Sequence, residues 1–311
     1  MKYKTLGVFV ISTLFFSCSS KEIIKTVKPE YFIEGIADAI HSIAFDSKGF
    51  MYAGSLGSDS TSPVRKYGTK KIFKIDPEGN VEVYNSVECR YIPYMTIDSQ
   101  DNLYVTLQTD HEFQIMKINP RKEKYIYPFK ERGGLSIHFD KNNNIYFLRS
   151  NKLYKLNKDE SLTLYTEIPG FFNEYTGLFD ESLTFNKDLS YVYKRHFMEN
   201  NIKKCQILEN GNTDEPETVI ENLIGMKVVL LDNERDYLYI LQYDTQDCII
   251  LIKPDGKIIK YNLDLSHFPE HDSKFYHMND MNFGSSYFGE DYLYLVTWDG
   301  DILRVKLKDY K

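Results

Sequence analysis

The chain has 311 residues, 42% hydrophobic and 27% charged, with 17 Gly and 10 Pro, which excludes a disordered, collagen-like or coiled-coil protein. Its formal net charge is −7 and no basic tract interrupts the acids, which argues against nucleic acid as a partner. Aromatics make up 15%, with 25 Tyr and 20 Phe, and such side chains suit the pleated, half-buried surface of a sheet.

In chain order, Lys2 and Lys4 precede an apolar run of 11 residues, Leu6–Phe16, followed by Ser17-Cys18-Ser19-Ser20. As helix this run measures about 16 Å, roughly half of a ~30 Å hydrocarbon core, so residues 1–17 read as an export signal and not a span. An uncleaved anchor or a plain secretion signal is the alternative. Cys18 directly after the run resembles the lipoprotein signal of bacteria, in which the cysteine is lipidated and becomes the new N-terminus. Phe15-Phe16-Ser17 are bulkier than that signal's usual residues. The resemblance implies a protein of the bacterial cell envelope, lipid-anchored at Cys18 on the periplasmic or outer-membrane face. Residues 18–21 would form a short tether.

The remainder, residues 22–311, repeats one module. A short apolar strand ends in an acid, a polar turn follows, and a second strand carries a Leu/Ile/Met-Tyr pair. The copies are SIAFDSKGFMYAGS, YMTIDSQDNLYVTL, SIHFDKNNNIYFLR, SLTFNKDLSYVYKR, VVLLDNERDYLYILQ and MNFGSSYFGEDYLYLVTW. The anchors that end each first strand are Asp46, Asp98, Asp140, Asn186, Asp232 and Gly284, spaced by 52, 42, 46, 46 and 52 residues. A third strand follows in every copy and a fourth in five of them. The last copy stops at Lys311, and a strand-like segment, EIIKTVK from Glu22, stands unmatched at the other end. These features predict an all-β fold: one six-bladed β-propeller domain, closed by pairing of the N-terminal strand with the last blade, beside Ile302–Leu307. Paired β-sandwiches are the rival, and they explain neither the period nor the missing strand.

The turns DSKGF, DSQDN, DKNNN and DNERD do not fit a calcium loop, and Asp and Asn there are expected to satisfy local backbone groups. After Cys18 three cysteines remain, Cys89, Cys205 and Cys248, with no zinc spacing; Cys205 and Cys248 fall in strand-like runs, where Cys serves as a small apolar residue.

In a propeller the innermost strands line a central channel. Five residues before each anchor stand His41, Pro93, Leu135, Glu181, Lys227 and Asn279, four of them polar in an otherwise apolar strand. With Arg90, Arg132, Tyr175 and His277 from nearby loops, His41, Glu181, Lys227 and Asn279 form the candidate channel mouth. Glu34, Glu181, Asn279 and Asp280 form a candidate metal set. The competing reading is that wet channels carry polar residues anyway, that His41 and His277 are structural, and that His138, between Ile137 and Phe139, belongs to a blade.

The repeats together with Ile33-Glu34-Gly35-Ile36-Ala37 resemble the six-bladed propellers of the NHL and senescence-marker/gluconolactonase group. Signal and repeats together resemble the propeller lipoproteins of Bacteroidetes. The lactonase branch implies a Glu, two Asn and an Asp on a divalent cation that activates water against a cyclic ester. Only Glu34-Gly35 matches that set. Tyr175-Thr176-Gly177 stands for its Pro-Asn-Gly, and Leu223-Ile224-Gly225-Met226 for its Pro-Asp-Gly-Met. No G-x-S-x-G, P-loop, HExxH or G-x-G-x-x-G is present. The expected function is therefore a surface-tethered, non-catalytic propeller without a cofactor, binding a small molecule, carbohydrate or protein at the channel mouth. The alternative is a hydrolase or lactonase using one divalent cation, Ca, Mn or Zn. A lyase or carbohydrate-active propeller with His41 or His277 as base is a third reading.

Overall fold

The computed structural model describes residues 23–307, apart from 37–38, 58–66, 111, 128–134, 150, 169–182, 197–199, 224, 243–246, 267, 269–277, 284–291 and 298–299. Cys18, Arg132, Tyr175, Glu181 and His277 lie outside the described residues. At Lys227 and Asn279 only the backbone is described.

Six sheets form the ring, a six-bladed β-propeller with no helix among the described residues. Two N-terminal strands, β1 (Ile23–Val27) and β2 (Glu30–Ile33), come first. Blade 1 follows as β3 (Ala39–Phe45), β4 (Met51–Gly57), β5 (Gly68–Ile75) and β6 (Val81–Cys89). Blade 2 is β7 (Tyr91–Ile97), β8 (Leu103–Gln108), β9 (Phe113–Ile118) and β10 (Lys124–Ile126). Blade 3 is β11 (Leu135–Phe139), β12 (Ile145–Arg149), β13 (Lys152–Leu156) and β14 (Leu162–Glu167). Blade 4 is β15 (Leu183–Phe185), β16 (Tyr191–His196), β17 (Asn201–Gln206) and β18 (Glu217–Ile220). Blade 5 is β19 (Met226–Asp232), β20 (Tyr237–Gln242), β21 (Cys248–Ile252) and β22 (Ile258–Leu263). Blade 6 is β23 (Met278–Phe283), β24 (Tyr292–Thr297) and β25 (Ile302–Lys306). Consecutive strands within a blade are antiparallel, so in every blade the first-to-second and third-to-fourth turns share one end of the sheet. The connections between blades share the other end with the second-to-third loops.

Closure differs in one respect from the sequence expectation. The segment after Glu22 does not lie beside Ile302–Leu307. As β1 it adds a fifth strand to blade 5, parallel to β22, with Ile23 opposite Ile259 and Val27 opposite Leu263. The missing strand of blade 6 is the next segment, β2, antiparallel to β25, with Tyr31 opposite Leu303 and Ile33 opposite Ile302. Both segments have a strand-like pattern. Ile33 joins the apolar core of the seam between blades 6 and 1, beside Ile40, Ile43, Val296 and Ile302, and Phe32 packs at its edge. β1 offers Ile23 and Val27 to the core between blades 5 and 6.

Each seam between blades has its own core of this kind, because alternation along every strand buries a row against each neighbour. Gly54 on β4 shows how tight the packing is. A Cβ there would lie 2.9 Å from Ile92 Cγ2 and 3.2 Å from Met95 Sδ, both on blade 2. Gly54→Ala is expected to lower stability by about 1–3 kcal/mol, the usual cost of overpacking, as read by denaturant unfolding.

The anchor acids build the turns. Asp98 Oδ1 accepts the N–H of Gln100 and of Asn102, each at 2.9 Å, and Oδ2 accepts the Tyr104 hydroxyl at 3.3 Å. Asp46 does the same for Lys48, Phe50 and Tyr52, and Asp140 for Asn142, Asn144 and Tyr146. Burial, with the neighbouring carboxylate, drives Tyr52, Tyr104 and Tyr146 far above the ordinary phenol value. The turns also link blades: Ser47 N–H donates to Asp101 Oδ1 at 2.9 Å and Ser99 N–H to Asn143 Oδ1 at 3.2 Å. Lys187 N–H donates to Asn233 Oδ1 at 2.7 Å. Cys89, Cys205 and Cys248 are buried thiols outside any disulfide; desolvation pushes the Cys89 thiol up to about 12 and raises Cys205, so neither of these two is a ready nucleophile.

Candidate functional site

The innermost strands β3, β7, β11, β15, β19 and β23 surround a central cavity of about 600 Å³. Residues three before the anchors are Ile43, Met95, Ile137, Leu183, Val229 and Met281, all buried between blades. By alternation the residues two and four before the anchors face the other way. Thr96, His138, Thr184, Leu230 and Asn282 form one half-buried tier of the wall, and Tyr94, Val228 and Asp280 another. Phe45, Phe139 and Phe283 contribute ring surface toward the turn end.

Residues five before the anchors fall on the buried parity, yet β-bulges intervene at four of them. Pairing skips His41 between Ile40 and Ser42, and Lys227 between Met226 and Val228. It skips Asn279 between Met278 and Asp280, and in β7 it passes over Ile92 and Pro93. A bulge breaks strict alternation and re-aims the extra side chain. His41 and Pro93 thereby reach the cavity wall.

The two best-described candidates are engaged with backbone. His41 Nδ1 donates to the Pro93 carbonyl at 3.1 Å, joining blade 1 to blade 2, and its ring lies 5.5 Å from that of Tyr91. Asp280 Oδ2 accepts the N–H of Ile43 at 3.0 Å across the closing seam, and Oδ1 accepts that of Met281 at 2.9 Å. Asn282 Nδ2 donates to the Ile43 carbonyl at 3.2 Å, so blade 6 grips both backbone groups of Ile43.

The other candidates are dispersed. Glu34 is exposed on the corner between β2 and β3; Gly35 beside it has φ +61° and donates its N–H to Asp301 Oδ1 at 2.8 Å. A backbone in that left-handed region accounts for the glycine of the Glu-Gly pair. Arg90 Nε meets Asp110 Oδ1 at 2.9 Å, on the loop between β8 and β9, and not the cavity. Of the candidate metal set, Glu34 is exposed on a corner while Asp280 holds two amides on the seam. Among the described residues, no group of three His, Cys, Asp or Glu is placed to hold a metal ion. Tyr292 and Tyr294 pack in the seam core between blades 6 and 1.

Two wall residues were not candidates from sequence. Tyr94 is raised well above the ordinary phenol value by burial and then by the Asp280 charge. His138, which sequence reading assigns to a blade, lies on the wall, with Nε2 hydrogen-bonded to Ser136 Oγ at 2.9 Å and its ring 4.6 Å from Phe185. Enclosure pushes its imidazole from 6.5 down to about 3. The signal that finds both is parity: two or four residues before the anchor, a polar or aromatic side chain sits in an apolar strand.

The His138 shift has a consequence for stability. Below pH 6.5 the unfolded chain takes up a proton that the folded chain refuses until about pH 3. Stability from a neutral His138 is therefore whole above pH 6.5 and lost as pH falls through this window. His138→Asn is expected to flatten the fall of the unfolding midpoint between those values, as measured by thermal melts across pH.

Neither protein-family models nor curated proteins yield a match to this sequence. Solved structures do. The chain is similar to a gluconolactonase from Xanthomonas campestris at 12% identity and TM-score 0.62, covering 89% of this chain and 88% of that one. It is similar to virginiamycin B lyase from Staphylococcus aureus, solved with quinupristin, at 13% identity and TM-score 0.57, covering 91% and 99%. A luciferin-regenerating enzyme aligns at 13% identity and TM-score 0.56, covering 90% and 96%. At these identities the likeness is one of fold, and the resemblance to gluconolactonase-like propellers holds at that level.

Proposed function

We propose that this chain is a propeller of the bacterial envelope, lipid-anchored at Cys18, that binds a small, largely uncharged ligand in its central channel without transforming it. The observation that carries the reading is the state of the wall's ionisable groups. His41 and Asp280 hold backbone groups of neighbouring strands, and Tyr94 and His138 are both kept neutral across the physiological range. A general base works best with a pKa near the operating pH, and His138 is far below it. Apart from Lys187 and Glu234, exposed on the turns at one end, the wall offers hydroxyl, amide and imidazole hydrogen bonds between phenyl rings, the lining of a binding pocket. Neutral sugars and similar polyhydroxylated molecules fit that chemistry. The metal-dependent hydrolase draws on the likeness of fold alone, and the described residues do not form its ligand set.

The test pairs binding with turnover. Neutral mono- and oligosaccharides are expected to raise the unfolding temperature of the purified body, with the gain lost in Tyr94→Phe and His138→Asn. A panel of lactones with added Ca, Mn or Zn is expected to show no hydrolysis. Turnover that depends on metal and on Glu34 would reverse the assignment. For the anchor, Cys18→Ser is expected to move the protein from the detergent phase to the aqueous phase. Unchanged partitioning would refute lipidation.

A further inference from the structure

We propose that the outer rim of blade 5 is a membrane-docking surface that sits on anionic lipid headgroups and holds the channel mouth away from the bilayer. The inference rests on the Cys18 anchor of the preceding reading and adds the orientation.

Topology supplies the first argument. β1 runs parallel to β22, so the chain enters the propeller at Ile23, opposite Ile259, just after the turn Lys253–Lys257. This is the turn end of the blade. The innermost strands begin at the other end, where the candidate channel mouth lies. Residues 18–22, fully extended, span at most about 17 Å, roughly the length of one five-residue strand. An acyl chain on Cys18 therefore keeps the turn end of blade 5 close to the lipid.

Charge supplies the second. Residues 21–27 and 253–260 carry Lys21, Lys25, Lys253, Lys257 and Lys260 against two acids, Glu22 and Asp255, on a chain whose net charge is −7. Asp255 Oδ1 is occupied by the N–H of Lys257 at 3.0 Å, and the flanking Glu30 is bound by Arg304 at 3.0 Å. Lys257 is exposed. Ile24 projects from β1 at 61% exposure, an apolar residue among lysines at the point where the tether arrives. Basic groups beside an apolar side chain suit the interface of an anionic bilayer, and they supply the second signal that firm anchoring uses.

The experiment uses the full acylated chain in phosphatidylcholine vesicles with and without phosphatidylglycerol, containing a lipid-borne spin-label quencher. One fluorophore is placed at Pro254→Cys, on the rim turn, and in a separate protein at Glu221→Cys, exposed at the mouth end; the three native thiols are buried. Quenching is expected to be several-fold greater at position 254 than at 221. It should weaken both when phosphatidylglycerol is omitted and in K25E/K257E/K260E, with flotation of the vesicles unchanged. Omitting the anionic lipid makes the same test without altering the protein, should the triple variant fold poorly. Flotation with equal or inverted quenching, or quenching indifferent to the anionic lipid, overturns the docking surface and leaves the anchor standing. Failure of the full chain to float overturns the anchor and the orientation with it.

Discussion

Removing β2 is expected to open the ring, whereas removing β1 alone is not. A soluble chain starting at Pro29 lacks only the fifth strand of blade 5, and β22 then ends that blade in the manner of the fourth strands elsewhere. A chain starting at Gly35 also lacks Glu30–Ile33. It leaves β25 as a bare edge, uncovers the core that Ile33 fills, and loses the 5.3 Å contact of Phe32 with Tyr294. Burial of one Ile and part of a Phe, with the ladder hydrogen bonds, is worth on the order of 5 kcal/mol. That is comparable to the whole margin of a modest domain and corresponds to roughly 10–20 °C in unfolding temperature. Unpaired edges also template association. Thermal melts and size-exclusion chromatography should therefore show the Gly35 chain strongly destabilised and aggregating, with the Pro29 chain only mildly affected. Equal behaviour of the two would mean that β2 is not the latch.

The second large effect is expected at Asp280. Asp280→Ala strips the acceptor from two amides, Ile43 N–H across the closing seam and Met281 N–H on its own strand. Each amide left without a partner costs about 1–3 kcal/mol, so a loss of about 2–6 kcal/mol is expected. Asp280→Asn keeps one good acceptor and should cost about half as much. The same numbers should appear with chelator or with added Ca, Mn or Zn. A wild-type midpoint that rises with metal, and an Asp280→Ala midpoint that does not, would instead make this carboxylate a ligand. Loss of the Asp280 charge also removes one of the influences that raise Tyr94, so its titration should move down in the variant while burial keeps it above an ordinary phenol.

The six-fold architecture is legible in the residues because every blade repeats one local solution. An apolar row, an Asp whose side chain caps its own turn, and a Tyr six positions on that returns to the same carboxylate recur at Asp46, Asp98 and Asp140. Those interactions span a few residues, and sequence spacing encodes them directly. The candidate site was legible in part. His41 is legible as a channel-mouth residue and Asp280 as a possible metal ligand; their bonds to Pro93 and Ile43 join residues 52 and 237 apart, a proximity that only blade packing and, for Asp280, ring closure create. His138 and Tyr94 were passed over because a single polar residue in an apolar strand has no local signature of facing a channel.

The sequence by itself determined the number of blades, the strands within them and the chemistry of their turns, since each depends on alternation and hydrogen bonds between near neighbours. Only the tertiary structure decided which of two strand-like N-terminal segments closes the ring, where bulges turn side chains to the wall, and which polar groups hold blades together. Those outcomes depend on packing between segments far apart in the chain, where β1 and β2 carry similar patterns and differ only in the edge each one meets.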